Sequence, residues 1–188
     1  MPESVILAEQ DIHRALTRMA HEIIERNKSP NELLLIGVRT RGLPLAQRIA
    51  FIIGGVRGVG IPVAGLDFTL HRDDLELRKE ELTIEPSDMP ASVRDKRVVL
   101  VDDVLFTGRS VRAAIDALID WGRPKSVQLA VLIDRGHREM PIKADFVGKN
   151  IPSSLYERIQ VRLKEIDGKD EVAIIREETA LVAGGKHR

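Results

Sequence analysis

Helical and strand-like patterns of apolar residues alternate along the chain. In the segment "DIHRALTRMAHEIIERN", Ile12, Leu16, Met19 and Ile23 recur at helical spacing, which predicts an amphipathic helix with Asp11 as its N-cap. Helical spacing returns in "LPLAQRIAFII" and in "SVRAAIDAL". Each of these helices is therefore expected to pack one apolar face against a sheet.

Short continuous apolar runs separate the helical segments. They are "ELLLIGV", "IPVAGLDFTL", "RVVLVDD" and "SVQLAVLID", and each has the length and composition of a strand buried on both faces. Two shorter strands, "RIQVRL" and "EVAIIRE", follow. Because strands alternate with helices, we predict an α/β domain with a mainly parallel central sheet flanked by helices. Such sheets bind ligands at the carboxyl ends of their strands.

Composition and charge narrow the class of protein. The chain has 188 residues, of which 43% are hydrophobic and 31% charged, so we predict one globular domain over residues 1–188. The 29 basic and 29 acidic side chains cancel, so nucleic-acid binding would need a local basic patch. With no cysteine, disulfides and thiolate metal sites are excluded. The start "MPESVILAEQ" lacks signal-peptide features and no apolar run reaches membrane-spanning length, so we expect a cytoplasmic protein without membrane contact.

One segment interrupts the alternation of strands and helices. Residues of about 67–96 are charged, contain prolines and have few large apolar groups, which predicts a mobile excursion. Its composition suits either a lid over a binding site or a plain surface loop. The tail from about 178 to 188 is expected to fray.

The clearest chemical signal is "RVVLVDDVLFTGRSVRAAIDAL", residues 97–118. We read it as a strand ending in Asp102 and Asp103, a Thr-Gly-Arg-Ser turn and a helix. Free N–H groups and the dipole at a helix N-terminus bind phosphate well. The turn is neither a Walker P-loop nor a dinucleotide-binding fingerprint. Acids close to a phosphate site indicate a sugar phosphate, and ribose 5-phosphate fits because carboxylates can hold its vicinal hydroxyls.

These residues carry a resemblance to a known family. "VVLVDDVLFTGRS" resembles the phosphoribosyl-pyrophosphate (PRPP) motif of the type I phosphoribosyltransferases. More narrowly, "ALTRMAHEIIERN", "GVRTRG", "DFTLHRDDL" and "DRGHREMPIKADFVGKNIP" resemble the PyrR family, whose members regulate pyrimidine operons by attenuation and are also uracil phosphoribosyltransferases. The resemblance covers nearly the whole chain. It implies the type I phosphoribosyltransferase fold with a small hood and a flexible lid loop, and a homo-oligomer, either a dimer or a hexamer.

The resemblance also implies roles for individual residues. Asp102 and Asp103 match acids that face the ribose hydroxyls and hydrated Mg²⁺, and Arg41 would stabilise the departing pyrophosphate as uracil attacks. Independently of the family, the arginines of "RTRG" at a strand end suit pyrophosphate, although a solvated turn explains them as well. The residues expected in the lid are Arg72, Asp73 and Asp74. The residues expected to bind PRPP or UMP are Arg39, Thr40, Arg41, Gly42, Asp102, Asp103, Val104, Leu105, Phe106, Thr107, Gly108, Arg109, Ser110, Ile133, Asp134 and Arg135.

The last three of these follow another strand and are expected near the base. No single residue there identifies uracil, since backbone groups can recognise a small planar base. For Asp134, a strand-end cap and a ligand contact are both open.

A second set of residues suggests RNA binding. Arg14, Thr17, Arg18 and His21 share one face of the first helix, opposite its apolar stripe. Such a basic face can follow phosphates, but it can also be simply solvated. The resemblance adds a second basic cluster, namely His137, Arg138, Lys143 and Lys149. Lys143 stands where the family commonly has an arginine. The implied partner is pyrimidine-operon leader mRNA, bound in response to UMP or UTP.

Three hypotheses follow. The chain is a uracil phosphoribosyltransferase making UMP and pyrophosphate, a UMP-controlled RNA-binding attenuator, or a phosphoribosyltransferase for another base without RNA binding. The first two are compatible. The presence of both Asp102 and Asp103 favours catalysis, since a regulator needing only nucleotide affinity could lose the acids.

Overall fold

The structure is a computed structural model that describes residues 3–38, 40–66 and 92–176. Arg39, most of the predicted excursion with Arg72, Asp73 and Asp74, and the predicted frayed tail lie outside the described residues. The strands are β1 Glu3–Ala8, β2 Leu33–Val38, β3 Val63–Leu66, β4 Arg97–Leu105, β5 Ser126–Asp134, β6 Phe146–Asn150, β7 Glu157–Arg162 and β8 Glu171–Arg176. The helices are α1 Glu9–Arg26, α2 Gly42–Arg57, α3 Arg109–Asp120 and α4 Lys164–Asp167.

A parallel sheet of five strands forms the centre of the domain, in the order β3-β2-β4-β5-β6. This confirms the predicted α/β class. All six residues of β2 are buried, because α1 and α2 cover one face of the sheet and α3 covers the other. Alternate residues of the strand belong to the two sides: Leu35 packs with α1 and α2, whereas Leu34 and Ile36 pack with α3.

The first helix confirms its predicted apolar stripe but not its predicted start. Ile12, Met19 and Ile23 are fully buried. The helix begins at Glu9 with Ala8 as N-cap, so the assignment of Asp11 as N-cap was wrong. Asp11 lies one turn inside, where its carboxylate accepts the N–H of Ala8 at 3.0 Å. A carboxylate at the third helical position can accept the N–H of the N-cap residue, as in a capping box.

A second, antiparallel sheet of three strands, in the order β1-β8-β7, lies beside the central one. Sequence analysis assigned strands to β7 and β8 but none to β1 or β6. Arg48 of α2 attaches this small sheet by ion pairs to Glu165 at 2.6 Å and Asp170 at 2.7 Å. Among the helices of the described ranges, none combines the length and apolarity needed to cross a bilayer.

Candidate active site

Three neighbouring strands bring the predicted ligand loops to one edge of the sheet. The strands β2, β4 and β5 lie side by side and end at Val38, Leu105 and Asp134. Residues 40–42, 106–110 and 135 follow directly. Parallel strands place their carboxyl ends together, so the loops meet there.

The loop of residues 106–110, named the phosphate loop here, has a backbone suited to an anion. Gly108 is the N-cap of α3 and has a φ of 90°, a left-handed conformation that glycine adopts without strain. The first backbone hydrogen bond of the helix runs from the N–H of Arg112 to the carbonyl oxygen of Gly108 at 3.0 Å. The amide of Arg109 donates to the Thr107 hydroxyl at 3.3 Å. The amides of Ser110 and Val111 belong to the helix start and have no acceptor within the helix, so they are suited to a phosphate.

The phosphate loop borders a cavity of about 360 Å³ that also contains Asp102. The predicted substrate-binding residues in its wall are Asp102, Val104, Leu105, Phe106, Thr107, Gly108, Arg109 and Ser110. Further lining residues are Val111, Arg112, Ala113, Asp116 and Met140. One acid and the start of α3 therefore share one space.

The acidic pair does not end its strand as the sequence suggested. β4 continues to Leu105 and stays paired with β5, whereas its pairing with β2 stops at Val101. Asp102 and Asp103 thus follow the last contact with β2, which frees one side of the strand. Asp102 is buried, and its carboxylate accepts the N–H of Asp103 at 2.9 Å. Burial raises the pKa of Asp102 well above its ordinary value, and the neighbouring Asp103 raises it further.

The two acids are the candidate contacts for a cation. Among the described residues, no three His, Cys, Asp or Glu side chains come together as a metal site. Carboxylate oxygens suit a hard cation such as Mg²⁺, which usually completes its shell with water and substrate oxygens. The pair therefore fits a magnesium ion held mainly through a phosphorylated ligand.

The predicted pyrophosphate loop packs directly on β4. A Cβ on Gly42 would lie 2.2 Å from the carbonyl oxygen of Val101, so only glycine allows this approach. Thr40 is exposed next to it. Arg41 forms an ion pair with Asp167 of α4, with Nη2 and Oδ1 2.9 Å apart. Sequence analysis missed Asp167, because nothing local marks a partner that lies 126 residues away.

The side chains of the residues expected near the base are packed or bonded within the protein. Ile133 is completely buried, so only its backbone could face a ligand. Asp134 pairs with Arg138 and accepts the N–H of Gly136 at 3.0 Å. Although burial raises the pKa of Asp134, these hydrogen bonds leave it below its ordinary value. The Arg135 guanidinium lies 4.2 Å from the ring centre of Phe106.

The predicted RNA-binding residues of α1 lie on its outer face. Arg14, Arg18 and His21 are exposed and Thr17 is partly exposed. Arg18 donates to the carbonyls of Val147 at 3.1 Å and Gly148 at 2.5 Å, next to Lys149 on β6. The helix face and the end of β6 therefore form one surface.

The second basic cluster is divided. Lys143 and Lys149 are exposed, whereas the Arg138 guanidinium is bonded inside the protein. His137 places Nε2 2.5 Å from the carbonyl oxygen of Ser153. Met140, which sequence analysis missed, lines the cavity from the same loop, where irregular backbone gives no periodic signal.

Comparison with protein families matches this arrangement. The model of the phosphoribosyl transferase domain family covers residues 4–165 of the chain. A solved hypoxanthine phosphoribosyltransferase of Trypanosoma cruzi has the same fold, with a TM-score of 0.69 over 93% of this chain and 97% of that one at 16% identity. The fold is thus that of a type I phosphoribosyltransferase.

Curated relatives narrow the family. The chain is 59% identical to the bifunctional protein PyrR of Chloroflexus aurantiacus, over 93% of this chain and 96% of that protein. It is 56% identical to the bifunctional protein PyrR of Clostridium beijerinckii, over 92% of this chain and 97% of that protein. The chain therefore belongs to the PyrR family of phosphoribosyltransferases.

Proposed function

We propose that this enzyme transfers the phosphoribosyl group of PRPP to uracil, and that its UMP-bound form binds the leader mRNA of pyrimidine biosynthetic genes in the cytoplasm. The observation that carries the proposal is the shared cavity of Asp102 and the phosphate loop in a chain of the PyrR family. UTP is the other nucleotide that would act as an effector.

The chemistry requires charge to be controlled at both ends of the breaking bond. Breaking the C1–pyrophosphate bond leaves positive charge on the ribose and a highly charged leaving group. The carboxyl groups of Asp102 and Asp103 hold the ribose hydroxyls, and the negative charge of the pair opposes the positive charge on the ribose. The phosphate loop fixes the 5′-phosphate. Arg41 faces the leaving group. Magnesium, bound through substrate oxygens, would supply further charge neutralisation on pyrophosphate.

Arg41 cannot serve the leaving group while it stays paired with Asp167. The pair is partly exposed, with 27% of the Arg41 side chain and 21% of the Asp167 side chain accessible. Pyrophosphate carries more negative charge than one carboxylate, so it competes well for the guanidinium. We therefore expect Arg41 to leave Asp167 when PRPP binds.

The base specificity is tested by assaying PRPP consumption with uracil, orotate, hypoxanthine and adenine. Turnover with uracil is the expected result. A preference for orotate or hypoxanthine would reject uracil in favour of the third hypothesis. The structural similarity to hypoxanthine phosphoribosyltransferases does not favour that base, because at 16% identity it reports the fold alone.

The RNA interaction is best tested by substituting lysines that lie outside the predicted substrate-binding loops. Lys149 is exposed at the end of β6, next to the residues that Arg18 of α1 contacts, and Lys143 is exposed before β6. Replacing both with glutamine should weaken leader-RNA binding and lower the slope of log affinity against log salt by about 2, because each phosphate contact contributes about one unit. Uracil transfer should be unchanged.

A matched control removes the same charge elsewhere. Lys28 and Arg123 are exposed at the opposite edge of the sheet, before β2 and β5. The double variant Lys28→Gln, Arg123→Gln should bind RNA as the wild type does. If both double variants lost the same amount of RNA affinity, the proposed surface would be rejected, because the loss would reflect overall charge alone.

A further inference from the structure

The guanidinium of Arg138 is fully engaged inside the protein. All three of its nitrogens donate to protein acceptors, and only 22% of the side chain is accessible. The acceptors are the carboxylate of Asp134 and the carbonyls of Leu105, Phe106, Gly136 and Ile142. Two of these carbonyls, at Leu105 and Phe106, belong to the end of β4 and the phosphate loop. Arg138 therefore holds the backbone of the phosphate loop through hydrogen bonds made inside the protein.

Main-chain bonds join the same two parts of the molecule. Residues 134–142 are named the bracket segment here. The amides of Glu139 and Met140 both donate to the carbonyl of Thr107 at 2.9 Å. The amide of Arg135 donates to the carbonyl of Leu105 at 3.1 Å. The bracket segment is thus bonded to the phosphate loop at successive residues.

Side chains add to this connection. Phe106 lies between the Arg135 guanidinium, 4.2 Å from the ring centre, and the His137 ring, 6.1 Å away and edge-on. Arg109 at the start of α3 donates to Glu139 at 2.6 Å. These contacts leave little freedom for the phosphate loop to move without the bracket segment.

The bracket segment also supports the basic surface. It carries the exposed His137, whose Nε2 lies 2.5 Å from the carbonyl oxygen of Ser153. The carbonyl of Asp134 accepts the N–H of Ile151 at 2.8 Å, two residues after Lys149. His137 has a φ of 60° and Gly136 a φ of 78°, so the turn has a left-handed shape that a non-glycine residue adopts at some cost. Arg138 holds that turn by donating to the carbonyl of Gly136 at 3.1 Å. One side chain therefore fixes both the phosphate loop and the turn beneath the surface.

We propose that Arg138 is a positioning residue that couples the phosphate loop to the basic surface, so that phosphate binding in the loop and RNA binding on the surface favour the same arrangement of the bracket segment. This rests on the proposed function and explains how UMP could control RNA affinity. Coupling of this kind is reciprocal, so RNA must also tighten the binding of UMP.

Two substitutions separate this role from that of an ordinary surface cation. R138M keeps the apolar stem and removes every donor, whereas R138K keeps the charge but cannot donate in a planar fork to several carbonyls. R162M is the matched control, because Arg162 is also 22% accessible and ion-paired, to Glu3 and Glu171 in the small sheet. The readouts are PRPP affinity by calorimetry, leader-RNA affinity with and without UMP, and the melting temperature.

Both Arg138 variants should bind PRPP about tenfold more weakly, a typical size for loss of a supporting contact. In both, UMP should no longer raise RNA affinity. R162M should lower the melting temperature at most and keep both ligand responses. A matching loss in R162M would mean that reduced stability alone explains the effect, and would overturn the proposal.

The opposite pattern would overturn it too. If R138M lost RNA binding with unchanged PRPP affinity, and R138K restored it, Arg138 would be a simple RNA-facing charge. A measurement of PRPP binding by the wild type distinguishes a failure of the proposed function from a failure of the role proposed for Arg138. No binding there would reject the proposed function, whereas wild-type binding with unaltered variants would reject only the role of Arg138.

Discussion

Single glycines set how closely the ligand loops approach the sheet. At Gly42, an added Cβ would lie 2.2 Å from the backbone oxygen of Val101, which cannot turn aside as a side chain can. The residue after Val101 is Asp102, so a shift at Gly42 reaches the acidic pair directly. The site therefore requires glycine at position 42 because the backbone packs closely there, and not because the turn must be flexible.

We expect Gly42→Ala to lower the unfolding free energy by about 1–3 kcal/mol, the usual cost of overpacking, and to raise the KM for PRPP. Thermal melts and steady-state kinetics measure both. Gly55 on the same helix has open space around its Cβ position. Gly55→Ala should therefore be neutral or stabilising, and a KM change there would show that helix propensity, not the contact with Val101, is responsible.

The acidic pair yields a second prediction at this scale. Asp103→Asn should reduce turnover about 100-fold or more while UMP affinity changes much less, because an amide keeps acceptors for hydroxyl groups but loses the charge that opposes positive charge in the transition state. Turnover assays and UMP titrations compare the two. Equal losses would count against a catalytic role for Asp103.

At the scale of elements, α2 holds the pyrophosphate loop and the small sheet together. Arg41 at its start pairs with Asp167, and Arg48, about two turns on, pairs with Glu165 and Asp170. Of the Asp170 side chain, 7% is accessible. The position of α4, between β7 and β8 of the small sheet, therefore depends on one face of α2, and Asp167 of α4 in turn orients Arg41.

We expect Arg48→Met to lower the unfolding free energy by about 2 kcal/mol, because it removes charge-assisted hydrogen bonds to the largely buried carboxylate of Asp170. For a chain of this length that corresponds to a melting temperature lower by about 4–8 °C. Arg57→Met is the control on the same helix, since within the described part of the chain Arg57 makes a single 3.3 Å bond, to the carbonyl of Ile24. A similar drop for both would show that any arginine of α2 matters equally.

The same ion pair has a defined pH dependence. Burial raises the pKa of Asp170, but hydrogen bonds from Arg48 and from the amide of Lys164 outweigh burial and leave the pKa below its ordinary value of 3.8. A lowered carboxyl pKa stabilises the fold at neutral pH, and this contribution is lost as pH falls through the lowered value. Denaturant titrations should show that the gap between wild type and Arg48→Met narrows below about pH 3.8. A gap that stayed constant would contradict the ion pair.

At the scale of the whole molecule, zero formal net charge makes any RNA affinity a property of local surface. That surface joins the outer face of α1 to the end of β6 through the bonds of Arg18 to the carbonyls of Val147 and Gly148. The bracket segment is bonded to the chain just after β6, because the carbonyl of Asp134 accepts the N–H of Ile151 at 2.8 Å. The bracket segment is therefore bonded both to the phosphate loop and to the chain that follows the candidate RNA surface on β6.

We expect the chain to form a homo-oligomer, with a dimer as the smallest unit. Phe51 is 83% exposed on α2, and the exposed Val56 and Val59 follow it. Apolar surface of this kind is often covered by an interface. Light scattering should show a dimer that Phe51→Asp shifts towards monomer. Ile119→Asp, at an exposed apolar position on α3, should not; a monomeric wild type would reject the dimer outright.

The sequence alone determined the parts of the protein that depend on periodicity and local backbone chemistry. The apolar stripe of α1, the buried strands, and the strand-turn-helix order around the phosphate loop all follow from residues within one or two turns of each other. It could not place the strands β1 and β6, because β1 is largely exposed and β6 is short, so neither has a clear apolar run.

Only the tertiary structure decided which charged residues are free to meet a ligand. Arg138 and Arg18 both looked like surface cations in the sequence, yet Arg138 is bonded beneath the phosphate loop and Arg18 to the edge of β6. Arg41 finds Asp167 across 126 positions. The physical reason is that a guanidinium takes whatever acceptors the fold brings within about 3 Å, and those acceptors are mostly backbone carbonyls that no side-chain pattern records.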